Sequence, residues 1–356
     1  MIRRRFKHKP PNEHFFDRSY AAHLVDKHGY DSLAYLALEK DKSYFFGLDG
    51  QGFIAYIPVG KVAVCVGNPV CPPEYLLQLL SDFKRFCRQR KLKICFCSVC
   101  GELARTLHQQ GYCISKYGEE ALLDLCSYEM TGKKTLKLRQ KIRRAEASGI
   151  KLVEYHPQEQ RDALWEEQFL DVSRDWYKNK SGQLRFTLGE LDFDHPWDRR
   201  FFAAMDEESR FQAILTFSPY NHRRGYYLDI MRKRQQTVPG VMEKAIIDAA
   251  MLMKSEGVEW VSLGLAPLAG IDRDNDKFNY LEKGMHFVYK NINQDYDFRS
   301  LHDYKRKFGP NHWIPRYVAY EKGLSPLTVG YAMIKARNVK GVWKKAFSGL
   351  WATRKG

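Results

Sequence analysis

The segment Arg224-Gly225-Tyr226-Tyr227-Leu228-Asp229-Ile230-Met231-Arg232 carries the clearest indication of the fold. Its aromatic and aliphatic residues predict a strand, and Pro239-Gly240 followed by an apolar periodic stretch predicts a helix soon after it. In α/β enzymes, charged side chains near a strand end that faces a helix start often carry the chemistry. We therefore predict an α/β fold and take Asp229 and Arg232 as candidate catalytic residues.

Both halves of the chain show the same predicted order of elements. Two adjacent strands, a helix and a further strand are predicted at 52–59, 61–67, 74–91 and 93–97, and again at 210–217, 225–231, 241–255 and 258–264. Further helices are predicted at 103–110, 131–148 and 159–178, and further strands at 117–125 and 316–320. The repetition indicates two tandem α/β units, each a mixed sheet with helices packed on it.

The length of 356 residues suits two domains. We predict an N-terminal domain at 1–150, a C-terminal catalytic domain at 151–323 and a basic amphipathic C-terminal helix at 324–356. In this last segment Trp343 and Trp351 stand among lysines and arginines, a pattern typical of a helix that lies on a membrane surface. A terminal helix docked on the domain core is the alternative interpretation.

The charge balance favours a polyanionic partner. Lys and Arg outnumber Asp and Glu by 58 to 42, which gives a net charge of +16. Such an excess suits nucleic acid, an anionic bilayer or both, although a basic protein without such a partner is the alternative. No run approaches the roughly 18–20 apolar residues that span a bilayer, and the N-terminus lacks the apolar region of a secretory signal. A cytosolic location is therefore expected.

The eight cysteines all precede residue 127. Cys97 and Cys100 form one Cys-x-x-Cys motif, but no second pair or histidine cluster completes a zinc site. Free cysteine is among the most buried residue types, so buried reduced thiols are favoured over a metal site. We expect neither a metal nor a cofactor.

The chain has no P-loop, Rossmann fingerprint, nucleophile elbow or HExxH motif. Several blocks, in the same order, resemble the soluble catalytic domain of the aminoacyl-phosphatidylglycerol synthases, also known as lysylphosphatidylglycerol synthase or multiple peptide resistance factor. The resemblance covers roughly residues 30–320 and rests on 52–56, 66–70, 118–121, 138–145, 186–189, 229–232, 262–268, 304–308 and 315–317.

The resemblance implies two tandem acyltransferase-like (GNAT) units and a reaction. The family transfers an amino acid from aminoacyl-tRNA to the glycerol hydroxyl of phosphatidylglycerol. An aminoacyl ester is already activated, so no metal or ATP is needed. The family usually carries a multi-span flippase domain before this region, and this chain is expected to be either a part of such a protein or a stand-alone member. A flippase domain absent from this chain is therefore a further expected partner.

The resemblance also supports Asp229 and Arg232 as essential residues. Asp229 is expected to orient the lipid hydroxyl or to hold the α-ammonium group of the donor. Arg232 is expected to hold the lipid phosphate or the developing oxyanion. The alternative interpretation is a structural Asp–Arg pair at a strand end.

Further substrate-binding residues are predicted around this pair. Lys305 and Lys307 are candidates for phosphate contacts, and a basic helix bearing Arg139 and Lys141 is expected to face a polyanion. Ser262 is a candidate oxyanion donor, or a strand-end residue that hydrogen-bonds locally. The remaining candidates are Tyr226, Glu119 and Glu120. Because neighbouring residues of a strand point to opposite faces, one of the two glutamates is expected to point inward.

The function predicted is tRNA-dependent aminoacylation of phosphatidylglycerol at the cytoplasmic face of the cell membrane. Lysine is the first expectation for the amino acid and alanine the second. Either would lower the negative charge of the membrane and protect against cationic antimicrobial peptides. Alternatives are transfer to another lipid or to a peptidoglycan precursor, an acyl-CoA-dependent acetyltransferase, and a non-catalytic module that binds RNA or membrane.

Overall fold

A computed structural model describes residues 17–178, 189–267, 269–270 and 298–337. The strands are β1 (Ser43–Gly47), β2 (Gly52–Val59), β3 (Val62–Val66), β4 (Lys93–Val99), β5 (Cys113–Asp124), β6 (Lys151–Tyr155), β7 (Arg200–Met205), β8 (Phe211–Tyr220), β9 (Gly225–Lys233), β10 (Trp260–Pro267) and β11 (His312–Tyr320). The helices are α1 (Arg18–His28), α2 (Leu76–Gln89), α3 (Gly101–Gln109), α4 (Leu136–Ala147), α5 (Ala163–Tyr177), α6 (Val241–Ser255), α7 (Phe298–Arg306) and α8 (Pro326–Arg337).

These strands form one sheet of eleven in the order β1-β2-β3-β4-β11-β5-β10-β9-β8-β7-β6. The succession β1-β2-β3-α2-β4 recurs as β7-β8-β9-α6-β10, with β3 parallel to β4 and β9 parallel to β10. The predicted fold class, a mixed α/β fold with tandem units and flanking helices, is confirmed. The boundary at residue 150 stays a prediction.

The two units share a continuous sheet because each gives its last strand to the other. Strand β5 pairs with β10 and β11, whereas β11 pairs with β4 and β5. This exchange satisfies the backbone groups of β4 and β10, which would otherwise be sheet edges. The separate sheets expected from the sequence are therefore joined at the central β5–β11 pair.

Local sequence patterns predicted most of these elements. The hairpin β2–β3 turns at Gly60, whose φ of +57° suits glycine, and α6 has the predicted bounds. Strand β7 was not predicted because Phe201, Phe202, Ala203 and Ala204 are all buried. A strand buried on both faces lacks the alternation of polar and apolar residues that identifies a half-buried strand.

Helix packing determines which face of β9 is available to a site. Ala245, Ile246 and Ala249 of α6 pack into a core that includes Tyr226 and Leu228 of β9. A separate core on the other face packs α5 against β7 and β8. Side chains of β9 that point away from α6 therefore lie on the α5 side of the sheet.

The beginning of the predicted C-terminal helix docks on the first half. Val329, Ala332, Met333 and Ala336 of α8 are buried in a core beneath β2 and β3. Residues 338–356 of the predicted amphipathic helix, with Trp343 and Trp351, lie outside the described residues. Within the described ranges, every helix is too short or too polar to span a lipid bilayer.

A buried ion cluster joins the central strands to the segment that follows α1. Arg316 on β11 donates to Glu120 on β5 at 2.7 Å and to Asp31, after α1, at 2.5 Å. Its second terminal nitrogen donates to Ser32 at 2.7 Å. All these side chains are almost completely buried, so the guanidinium compensates two carboxylates that have lost their hydration.

We predict that Arg316→Met destabilises the protein by about 3–5 kcal/mol, because it leaves Glu120 and Asp31 buried without their partner. Guanidinium chloride unfolding measures the change. The control is Arg306→Met, at a mostly exposed arginine of α7, which should change stability by less than about 0.5 kcal/mol. Equal small effects in both variants would contradict the importance of the cluster.

Candidate active site

The candidate site lies where two parallel strands separate. Strands β9 and β10 pair only between 225–227 and 260–262, and within the described residues no pairing joins them farther along. Beyond that point β9 remains with β8 and β10 remains with β5. The equivalent strands β3 and β4 pair along all of Val62–Val66. The opening is therefore specific to the second half, on the carboxyl side of the strands, where α/β proteins bind ligands.

A β-bulge places Asp229 at this opening. The β8–β9 register matches Thr216 with Ile230 and Phe217 with Leu228, so Asp229 is the additional residue. In a regular strand, residues three positions apart point to opposite faces. The bulge changes this alternation and brings both Asp229 and Arg232 to the side facing away from α6.

Asp229 is 3% exposed and has only part of its hydrogen-bonding capacity satisfied. Its Oδ1 accepts the Gly189 backbone N–H at 2.6 Å, while its Oδ2 is buried without a hydrogen-bond partner among the described residues. Among the described residues, the cation within ion-pair distance is Arg199, whose Nη2 lies 3.9 Å from Oδ2. Burial raises the pKa of Asp229 to about 6, and the negative charge of Glu39 adds to this shift against the opposing charge of Arg199.

Arg232 has supports of its own. Its Nη1 donates to Ser173 of α5 at 2.8 Å, and its guanidinium carbon lies 4.9 Å from the centre of the Tyr177 ring. In the part of the chain that the structure describes, no ion pair joins Arg232 to Asp229. The two residues therefore share a face without neutralising each other, which differs from a structural Asp–Arg pair.

Lys305 of α7 lies on the β10 side of the opening. The side chain is buried, and its Nζ donates to the Leu265 carbonyl at 2.7 Å. A Cβ on Gly264 would stand 3.3 Å from this Nζ and 3.2 Å from the Tyr227 hydroxyl. Burial lowers the pKa of Lys305 to about 7, although Glu120 opposes the shift. A largely desolvated amine and a phenol thus meet at Gly264.

Ser262 and Glu120 shape this part of β10. The Ser262 hydroxyl donates to Glu120 at 2.5 Å and accepts the Gly264 N–H at 3.0 Å. These bonds hold the irregularity between Ser262 and Leu265, where Gly264 has a φ of +83°. Burial alone would raise the pKa of Glu120, but Arg316 and the Ser262 and Ser32 hydroxyls bring it below its ordinary value.

Two of the predicted residues point elsewhere. Tyr226 faces α6, where Arg200 lies 5.7 Å from its ring centre, whereas its neighbour Tyr227 faces the opening. Glu119 is partly exposed and accepts from Lys116 at 2.7 Å, whereas Glu120 is buried. Binding roles for Tyr226 and Glu119 stay predictions.

The predicted basic residues have protein partners. Lys141 and Lys307 both donate to Glu243 Oε1, at 2.8 Å and 3.0 Å, in the first turn of α6. Arg139 donates to the Met130 carbonyl at 2.7 Å and so holds the turn before α4. Phosphate contacts by these three cations stay predictions. The exposed bases of this region are instead Lys133, Lys134, Lys137, Arg143 and Arg144.

Sequence reasoning did not identify Arg199, Glu39 and Tyr227. Arg199 and Glu39 stand 160 positions apart and meet only in the folded chain. Gly189 did belong to a block that carried the family resemblance, and its position explains its lack of a side chain. A Cβ there would lie 2.0 Å from Asp229 Oδ2.

The described residues contain no group of three His, Cys, Asp or Glu side chains placed to hold a metal ion. The eight cysteines are free thiols, and five of them are buried. Asp229, Arg232, Lys305, Tyr227 and Ser262 offer a carboxylate, a guanidinium, an amine, a phenol and a hydroxyl.

Known proteins share both the sequence and the fold. The family model "Phosphatidylglycerol lysyltransferase, C-terminal" matches residues 22–320. The phosphatidylglycerol lysyltransferase of Bacillus subtilis is 28% identical over 317 residues, covering 89% of this chain and 36% of that protein. The phosphatidylglycerol lysyltransferase of Staphylococcus haemolyticus is 24% identical over 323 residues, covering 91% and 38%. The chain thus spans well under half the length of these curated relatives.

A solved structure shows the same fold. The structure of L-PGS from Bacillus licheniformis superposes with a TM-score of 0.78 at 22% sequence identity. The superposition covers 91% of this chain and 98% of the other. The described chain therefore has the same overall fold as that structure.

We predict that Asp229→Asn gains thermal stability relative to the parent protein as the pH rises from about 4 to about 7. The raised pKa means that the folded protein holds the Asp229 proton more tightly than the unfolded chain does, so ionisation above pH 4 favours unfolding. An asparagine avoids that cost. Melting temperatures of both proteins across this pH range measure the difference.

The control is Asp171→Asn on the exposed surface of α5, where the difference from the parent should not grow in this way. A stability difference for Asp229→Asn that stays constant or shrinks as the pH rises would contradict the buried, destabilised carboxylate.

Proposed function

The chain belongs to the phosphatidylglycerol lysyltransferase C-terminal family, and we propose that it transfers an amino acid from aminoacyl-tRNA to the glycerol hydroxyl of phosphatidylglycerol. The observation that carries the proposal is a buried carboxylate with one unpartnered oxygen at the separation of β9 and β10. Lys305, which lies at Gly264 on the β10 side, supplies a base, and Arg232, on the same face of β9 as Asp229, supplies a positive charge. These are the groups that transfer of an activated ester requires.

The reaction needs positioning, proton removal and stabilisation of negative charge, but no activation of the donor. The glycerol oxygen attacks the ester carbon, and the bond to the tRNA ribose breaks. We assign the base to Lys305, because a pKa of about 7 leaves a substantial neutral fraction at neutral pH. The resulting ammonium returns its proton to the ribose oxygen as that oxygen leaves.

We assign Arg232 to the negative charge of the substrates, on the carbonyl oxygen of the intermediate or on the lipid phosphate. Its contacts with Ser173 and Tyr177 hold the guanidinium without a neutralising carboxylate, so its charge stays available. Asp229 contacts the donor or the acceptor through the unpartnered oxygen.

The surface charge supports a tRNA donor. Five exposed bases on and before α4 have no ion pair within the described residues, and the chain as a whole carries +16. Such bases bind phosphates and release counterions. We place the protein at the cytoplasmic face of the membrane, with anionic lipid as the acceptor surface. Lysine is the first candidate for the amino acid and alanine the second, and either lowers the negative charge of the membrane and so resists cationic antimicrobial peptides.

The loop before α6 argues against an acyl-CoA donor. Coenzyme A pyrophosphate would need free backbone N–H groups at the helix start. Here the Arg234 N–H donates to Gln212 and the Gln235 N–H to Asp175 Oδ2, and Pro239 has none. Gly240 is packed against the backbone of Lys141, where even a Cβ would lie 2.2 Å from the carbonyl oxygen.

The test combines phosphatidylglycerol vesicles with radiolabelled aminoacyl-tRNAs and measures label in the extracted lipid. We predict label transfer by the parent protein and a loss of at least about 100-fold in Asp229→Asn and in Arg232→Lys. Matched controls are Asp171→Asn and Arg174→Lys, a pair with the same spacing on the exposed side of α5.

The control variants should keep parental activity. Full activity in either site variant would remove the proposed site. Absence of label with every aminoacyl-tRNA, combined with consumption of acetyl-CoA, would instead identify an acetyltransferase.

A further inference from the structure

The free oxygen of Asp229 exists because Arg199 is held elsewhere. Arg199 is 1% exposed, and its Nη2 donates to Glu39 Oε1. The same Nη2 stands 3.9 Å from Asp229 Oδ2, beyond hydrogen-bond reach. Two further acceptors fix the guanidinium, the Ser218 hydroxyl at 3.2 Å and the Glu190 carbonyl at 3.5 Å.

We propose that Glu39 is a positioning residue that holds Arg199 away from Asp229 and so keeps one oxygen of Asp229 open for the α-ammonium group of the aminoacyl donor. This inference rests on the proposed function and assigns the substrate group that Asp229 binds.

Glu39 controls both supports of Asp229. Its Oε1 accepts from Arg199, and its Oε2 accepts the Glu190 N–H at 3.2 Å. Glu190 directly follows Gly189, whose N–H is the donor to Asp229 Oδ1. One carboxylate therefore positions both the nearby cation and the backbone segment whose N–H is bonded to the Asp229 side chain.

The first half of the chain thereby contributes to a site in the second half. Glu39 directly follows the short 3-10 helix Ala34–Leu38, and this helix packs in the same buried core as Tyr227 of β9. The dependence of the site on both halves follows from this contact, because no residue near Asp229 in sequence holds Arg199 by its charge.

The charge balance around Asp229 favours an ammonium over a hydroxyl. Asp229 and Glu39 bring two negative charges into a space where Arg199 brings one positive charge. Arg232 is held on Ser173 and forms no ion pair with Asp229 among the described residues, and burial keeps Tyr227, two positions before Asp229 on the strand, neutral by raising its pKa. An incoming ammonium restores neutrality, whereas a lipid hydroxyl does not.

Asp192 is a further charged group near Arg199. It is already matched by Arg18 at 3.0 Å and by Lys40 at 3.2 Å, and His195 lies 3.6 Å from its other oxygen. Its charge therefore does not alter the excess of one negative charge at Asp229.

The first test is Glu39→Gln, which keeps the shape of the side chain but removes its charge. Arg199 should then pair with Asp229 and occupy the free oxygen. We expect KM for aminoacyl-tRNA to rise about tenfold, because the donor loses about one charge-assisted hydrogen bond. The change in kcat should be smaller. The matched control is Glu154→Gln, which removes the carboxylate that pairs with Arg200. Arg200 directly follows Arg199 in the sequence but lies on the α6 face of the sheet. This variant should leave KM unchanged.

The second test replaces the donor. A hydroxyacyl-tRNA carries the same side chain with a hydroxyl in place of the α-ammonium group. The parent protein should prefer the aminoacyl donor by at least about tenfold in kcat/KM, and Glu39→Gln should lose that preference. The double variant Glu39→Gln/Arg199→Gln should regain it, because Glu39 acts through Arg199. If Glu39→Gln does not fold, the donor preference of Glu39→Gln/Arg199→Gln is compared directly with that of the parent protein, and a lost preference would contradict the role of Glu39.

A third measurement does not depend on activity. The change in stability caused by Asp229→Asn is measured against pH, first in the parent protein and then in the Glu39→Gln background. Release of Arg199 and loss of the Glu39 charge should both lower the pKa of Asp229. The stability gained by Asp229→Asn should therefore increase less steeply with pH in the Glu39→Gln background than in the parent protein.

If the stability gained by Asp229→Asn increases with pH equally in both backgrounds, Glu39 does not position Arg199, whatever the activity. A smaller rise in a protein that transfers no amino acid would keep that role and reject the proposed function. Equal preference of the parent protein for both donors would overturn the assignment of the α-ammonium group to Asp229.

Discussion

A carboxylate that is buried beside an arginine and yet left partly unpaired is the constraint on which the site depends. Asp229 accepts one backbone N–H, and Arg199 stands 3.9 Å from its other oxygen. Left alone, these charges would pair, because an uncompensated buried charge is costly. The fold prevents this with a glycine against the carboxylate, a β-bulge beneath it and Glu39 on the arginine. Stability is thereby given up at the point where we propose that a substrate group binds.

The exchanged strands explain why this point is also open. Strand β10 pairs with β5, whereas β9 pairs with β8. Beyond residues 227 and 262 the two parallel strands therefore follow different partners and separate. The cluster of Arg316, Glu120 and Ser262 fixes the β10 side and presents Gly264. The Lys305 amine lies next to Gly264. The first half has the same strand order, but β3 and β4 stay paired along the whole of β3 and leave no such gap.

The sequence predicted those parts of the fold that short-range patterns encode. Hairpins, α6 and the strand carrying Asp229 follow from periodicity and turn residues, and family resemblance added the order of the blocks. Strand β7 was missed because burial on both faces removes the alternating pattern. Arg199 and Glu39 were missed because a charge partner 160 residues away has no local signal. Counting basic residues likewise identified Lys141 but not its partner Glu243, which lies inside an apolar helix.

We propose that the aminoacyl group binds between β9 and β10 with its ammonium on Asp229. A crystal structure with an amide-linked analogue of the aminoacylated terminal adenosine of tRNA would show where the ammonium lies. The predicted result is an ammonium nitrogen about 2.7–3.2 Å from Asp229 Oδ2, with Arg199 still on Glu39. An analogue bound elsewhere, or bound in the opening without an ammonium contact to Asp229 Oδ2, would contradict this role of Asp229.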